Sequence, residues 1–212
     1  MQLLDELREE HLLVDRVAGS LIRLAVRAGG DGAATSDVLD FVRVLRVFVG
    51  GYHHEREETT LFAALVERAE VARDRGPLAV LVDEHRRGAA MVDELEAAAG
   101  ETARAAAVAR RLAHHLWEHV DKEESVIFPE AATRLVRGGL GRLEGRRPNA
   151  DEVAARALGE RLVERFPPLD DPELIRGDGC IACSAFGVTC GGIESEWWND
   201  WEAQYHRTLD EG

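Results

Sequence analysis

The chain is predicted to be all-α: an antiparallel up-down four-helix bundle with an additional C-terminal helix and an irregular tail. Three observations point there. The sequence is rich in alanine, leucine, glutamate and arginine, all strong helix formers. Apolar residues recur at alternating spacings of three and four through four long stretches. The glycine- and proline-marked connections between those stretches are short, which makes successive helices antiparallel neighbours.

In the first stretch, residues 2–28, Leu4, Leu7, Val14, Ala18, Leu21 and Ala25 form one stripe, and His11 fills the slot that completes it. Gly29, Gly30 and Gly32 stop this helix. Thr35, Ser36 and Asp37 offer caps for a second helix that carries His53 and Glu57 and runs to about Arg75. Gly76-Pro77 is a turn that places proline in the first turn of a third helix, expected to end near Ala99. There Leu78, Leu81, Val92 and Leu95 frame His85 as their counterparts frame His11. Gly100 breaks the chain and Thr102 caps a fourth helix reaching about Arg137, with a kink expected at Pro129. Gly141, Gly145 and Pro148 then read as a linker, and residues 149–166 as a fifth amphipathic helix bearing Val153, Ala157, Leu162 and Phe166. The division expected is a bundle over 1–137 and an extension over 138–212 that packs on it.

With 212 residues and 45% apolar content, the chain can bury a substantial core. A formal charge of −14 argues against a general attraction to nucleic acid or anionic membrane. The opening MQLLDELREEHLL lacks the basic start and apolar centre of a signal peptide, so the cytoplasm is the expected location. Three cysteines, an odd number confined to the last third, do not make the disulfide framework of a secreted domain. Oligomeric state is left open.

The chemistry lies in a repeated motif. YHHEREETTLF, from Tyr52, and EHVDKEESVIF, from Glu118, align so that His53, Glu57, Glu58 and Phe62 match His119, Glu123, Glu124 and Phe128 at one constant offset. In the same way Leu4, Leu7 and His11 match Leu78, Leu81 and His85, and each of these histidines is preceded by glutamate. A His-x-x-x-Glu pair projects imidazole and carboxylate from one helical face. That face also carries Val108, Leu112, Leu116, Val126 and Ile127, so the pair points into the core, where an unpartnered charge is costly. A metal ion satisfies it: imidazole plus carboxylate suits iron, manganese or zinc.

In these motifs residues 1–137 resemble a hemerythrin-type domain of the histidine-histidine-glutamate cation-binding class. The resemblance implies two non-haem irons in the bundle, bridged by oxide or hydroxide, with manganese or zinc as substitutes. It implies that Glu57 and Glu123 bridge the metals, that His11 and His53 serve one iron, and that His85 and His119 serve the other. Oxygen-carrying members have an additional histidine one turn from the position of His85; here Leu81 and Ala89 stand in the neighbouring turns, which leaves coordination positions open.

His115, one turn before His119, can add a ligand or a supporting hydrogen bond, or simply sit in the bundle interior. Tyr52 and Trp117 are either redox neighbours of the metals or ordinary packing. His54 and His114 fall one residue off the ligand face and are expected at solvent or behind the ligands, and Glu58 and Glu124 outside the ligand set. Cys180, Cys183 and Cys190, with His206, are either a weak zinc site or free thiols capable of a reversible disulfide. Trp197, Trp198, Trp201 and Tyr205 either anchor the tail or roof a pocket.

Three functions fit these residues. One is an oxidoreductase that activates dioxygen or peroxide toward a small organic substrate. The second is a protein that binds or senses oxygen, nitric oxide or iron without turnover, and the third is metal storage. A large apolar pocket reaching the metals favours the first; a closed, narrow core favours the second.

Overall fold

The structure is a computed structural model that describes residues 1–28, 34–171 and Leu174. All regular structure among the described residues is helical. Helix α1 is Gln2–Ala28. Helix α2, residues 35–69, starts as Thr35–Arg43, widens to π-helix over Val44–His54 and Glu57–Leu61, and returns to α-helix in Phe62–Ala69. Helix α3 is Gly76–Ala97. Helix α4, residues 102–137, comprises Thr102–Lys122, a π-helical turn at Glu123–Ile127, and Phe128–Arg137. Helix α5 is Ala150–Arg165.

The second helix is shorter than expected. It stops when Glu70 turns left-handed at φ 54°, and the Val71 amide donates to the Leu65 carbonyl to close the turn. The charged residues that follow, through Arg75, offer no apolar stripe to bury. Gly76, at φ 64°, then leads into α3 with Pro77 in its first turn. The far ends of α2 and α4 touch: a Cβ on Gly138 would lie 2.1 Å from the Arg68 carbonyl oxygen, so only glycine fits there. Near Pro129 the ladder carries the π-helical turn Glu123–Ile127, after which the proline sits in the first turn of the renewed α-helix.

The apolar residues form two cores. Leu21, Phe41, Phe48, Leu95, Leu112 and Leu116 belong to one; Leu4, Leu61, Leu65, Leu81, Phe128 and Leu135 belong to the other. Along each of the first four helices the change from one core to the other falls at the histidine. The histidines and Glu57 and Glu123 therefore form a polar layer between the two cores.

Helix α5 lies against α1 and the π-helical part of α2 and adds Ala155, Leu162, Val163 and Phe166 to the first core. Asn149 caps it, accepting from the amides of Asp151 and Glu152, while the Glu152 carboxylate accepts from the Asn149 amide at 2.7 Å. Val153, expected inward, is 53% exposed, because the buried face runs through Ala155, Gly159 and Leu162. Among the described residues no helix is long and apolar enough to cross a membrane. Cys180, Cys183, Cys190, His206 and the tryptophan-rich segment from Trp197 to Tyr205 lie outside the described residues.

Candidate metal centre

In the polar layer His11, His53, His85 and His119 are each 6% exposed or less, and Glu57 and Glu123 are fully buried. Each ring turns Nδ1 outward to a carboxylate: His11 to Glu124 at 2.6 Å, His53 to Glu10 at 2.9 Å, His85 to Glu58 at 2.7 Å and His119 to Glu84 at 3.0 Å. A carboxylate only accepts, so Nδ1 carries a proton, and in the neutral ring Nε2 presents its lone pair to the interior. The Nε2 atoms of His85 and His119 face each other at 3.1 Å. Nε2 of His11 lies 3.2 Å from Glu123, that of His53 3.3 Å from Glu57, and that of His119 3.4 Å from Glu123.

These atoms gather into two groups. One ligand atom each from His11, His53, Glu57 and Glu123 lie within 4.8 Å of one another, as do those from His54, Glu57, His85 and His119. Glu57 belongs to both. The arrangement repeats the sequence symmetry: Glu10 and Glu84 support the His-x-x-x-Glu histidines, while Glu124 and Glu58 support His11 and His85. Arg56 donates to Glu10 at 2.5 Å, and its counterpart Lys122 donates to Glu84. Phe128 stacks on His11 at 5.1 Å and Phe62 on His85 at 6.1 Å.

Of the two positions expected for His54, the structure excludes the one at solvent. It is 9% exposed and its ring stacks on His85 at 3.9 Å, inside the second group rather than at solvent. The expectation assumed about 100° of rotation between adjacent residues of an α-helix. The π-helical path through Val44–His54 takes i→i+5 bonds, so less rotation separates neighbours, and His53 and His54 both reach the layer. Among the described residues the His54 ring makes no hydrogen bond, unlike the other four. Its counterpart in the repeat is Val120.

His115, Tyr52 and Trp117 stand outside both groups. His115 Nε2 donates to the Glu84 carbonyl at 2.8 Å, and Trp117 Nε1 to the Asp15 carbonyl at 3.2 Å. The Tyr52 ring lies between the guanidinium groups of Arg56 at 4.1 Å and Arg146 at 5.0 Å. His114 reaches Asp171 at 3.0 Å. Glu10 and Glu84 had no assigned role, although the glutamate before each seam histidine was the visible signal.

The family model described as Hemerythrin HHE cation binding domain matches residues 2–131. The chain belongs to that family. No curated protein and no solved structure matches it. For a hemerythrin-type domain the question is whether these residues suit a cation, and their electrostatics do. His11 Nε2 and all four oxygens of Glu57 and Glu123 are buried without a hydrogen-bond partner. Acceptors that converge in a dry core repel one another unless a proton or a cation lies among them.

The titration behaviour has the same origin. Burial disfavours a charged His11, but the adjacent Glu123 and Glu124 outweigh it and push the imidazole up to about 9. Burial and then the Glu123 charge push Glu57 well above the usual carboxylate range. Burial also opposes an ionised Glu123, yet His119 and His11 hold it low. Burial and neighbouring imidazoles push His53 and His54 well down. Around Glu84, His119 and Lys122 overcome burial and hold the carboxyl at about 2.

A cavity of about 440 Å³ reaches one side of the layer. His54, His85 and His119 line its inner end, and neither His11 nor His53 does. Leu45, Val49, Val92, Leu112 and Leu116 form apolar walls, with Gly50, Gly88 and Ala89 where the repeat has Leu116, Val14 and Asp15.

Proposed function

We propose that the chain is a non-haem di-iron protein that activates dioxygen or peroxide and oxidises a small organic substrate. The observation that carries this reading is the apolar cavity that ends on His54, His85 and His119. In the proposed assignment His11 and His53 would hold one iron and His54, His85 and His119 the other, with Glu57 and Glu123 supplying the carboxylates. The helices that bear them form an antiparallel up-down four-helix bundle, a reading supported by the short connections at 70–75 and 98–101. Manganese or zinc suits the same donors.

Two adjacent irons supply electrons for reducing dioxygen or peroxide. The protein's own residues do the rest. The carboxylates on Nδ1 fix each imidazole's tautomer and raise its basicity toward a cation. The apolar walls admit a neutral molecule or a small gas while holding bulk water back. A second reading, binding or sensing of oxygen, nitric oxide or iron without turnover, is favoured by the closed half, where His11 lies under Phe128 and is 3% exposed.

Metal analysis combined with absorption spectra after anaerobic reduction and oxygen exposure tests the assignment. About two irons per chain, with spectral change and oxygen consumption accelerated by substrate, is the expected result. Fewer than two metals would overturn the di-iron reading. Reversible oxygen binding without consumption would select the second function.

A further inference from the structure

Among the described residues this cavity reaches His54, His85 and His119 but not His11 or His53, and the two halves of the repeat carry different residues there. Gly50 on α2 matches Leu116 on α4, which itself lines the cavity, and Gly88 and Ala89 on α3 match Val14 and Asp15 on α1. A Cβ on Gly50 would meet nothing nearer than the Leu45 carbonyl oxygen at 3.6 Å, so backbone packing does not demand glycine at that position. The space is thus set by side chains the chain leaves small, beside walls of Leu45, Val49, Val92 and Leu112.

The charges around this space are committed elsewhere. Arg46 is tied to Asp93 at 2.7 Å and to Glu96 at 2.8 Å. Glu55 pairs with Arg146 at 2.8 Å, Glu58 with His85 at 2.7 Å, and Glu84 with Lys122 and His119. The exposed Arg86 stands at the mouth, where its charge helps to hold the Glu58 carboxyl low. An ion entering the apolar interior would lose its hydration and find no free partner. At the inner end the His54 ring, stacked face-on upon His85, offers an aromatic surface with no hydrogen bond to break.

We propose that this cavity, between α2 and α3, is the binding site of a neutral, apolar-bodied ring molecule that lies against His54. A volume of about 440 Å³ is in the range of small-molecule pockets and well above the ~150 Å³ that admits a single benzene ring. The inference deepens the oxidoreductase reading and rests on it for the chemistry, but not for the binding.

Calorimetry on the purified full chain with indole, indole-3-carboxylate and protonated 3-(aminomethyl)indole tests it. Indole should bind at least ~10-fold more tightly than either ion. Gly50→Leu copies the residue of the matching repeat position into an exposed helical position and should weaken indole binding at least ~10-fold while metal content and helical circular dichroism stay unchanged. Ala89→Phe, also at an exposed position, should do the same, and Ala89→Ser should retain binding. Equal binding of the three probes, no binding of indole, or full retention by both filled variants would overturn the site. Indole binding without any substrate-dependent oxygen consumption would keep the site and remove the oxidoreductase reading. Oxygen consumption without indole binding would do the reverse.

Discussion

The two halves of the polar layer are built from the same parts and finished differently. Around His11 and His53 the repeat is filled: Phe128 covers one imidazole, the buried Val14 stands one turn from His11, and the fully buried Arg56 backs Glu10. Around His85 and His119 the cavity wall holds Gly88, the counterpart of Val14, and Gly50, and Lys122, 16% exposed, takes the place of Arg56. The polar contacts are conserved between the halves; the packing is not. One donor arrangement can thus serve a sealed position and an accessible one, with the difference supplied by side-chain volume a few ångströms behind the ligands.

The most severe way to break the comparison is to remove what both halves share. Glu57→Ala should take metal content from about two per chain to below one, since Glu57 belongs to both groups, whereas His114→Ala should leave it unchanged. Elemental analysis checks this, and equal metal in the two variants would reject the shared-carboxylate assignment. Arg56→Met and Lys122→Met probe the backing of each half. Loss of the buried Arg56 strands Glu10 and should cost about 3–5 kcal/mol. Loss of the more accessible Lys122 should cost at most about 2 kcal/mol. Denaturant unfolding measures both, and equal losses would remove the distinction between sealed and open.

His54→Val gives the open half the residue its counterpart has in Val120. It should weaken one metal by roughly 10–100-fold in chelator competition and leave the other unchanged. Weakening of both would show that the halves are not separable. The smallest effect is in protons. In the metal-free protein His11 is raised to about 9 and so carries its extra proton at pH 7.5, while burial and the Glu123 charge push Glu57 upward and burial pushes His54 and His85 down. Metal binding should therefore release at least the His11 proton, read from calorimetry in buffers of different ionisation enthalpy. A buffer-independent heat would contradict it. The sign for stability follows from the same raised value. The contribution of His11 to the metal-free fold is complete below pH 6.5 and is lost as pH rises through about 9.

Much of this was readable in the sequence, and what was not has definite causes. The three-four alternation gave α1 at its observed limits and α4 to Arg137, because those faces bury continuous apolar stripes. Pairing His11 with His85 and His53 with His119 required only the offset of the repeat. That His54 lies within the second group was not legible because residue counting presumes α-helical rotation, and nothing in the local composition announces a π-helical run. The crossed supports, Glu10 to His53 and Glu84 to His119, were invisible because they join residues on different helices, although the glutamates themselves were conspicuous. The cavity shows only when the repeat is read position against position, since Gly50 and Gly88 look unremarkable alone.

The π-helical run in α2 also bears on insertions and deletions. A wide turn accommodates about one more residue than an α-helical turn before the ladder resumes, so losing one residue there can be absorbed by tightening rather than by rotating everything beyond it. In α1 or α3, which are α-helical throughout, one missing residue turns the rest of the helix by about 100° and carries its apolar stripe out of the core. Val44–His54 is therefore the part of the ligand-bearing framework best able to tolerate a change of length.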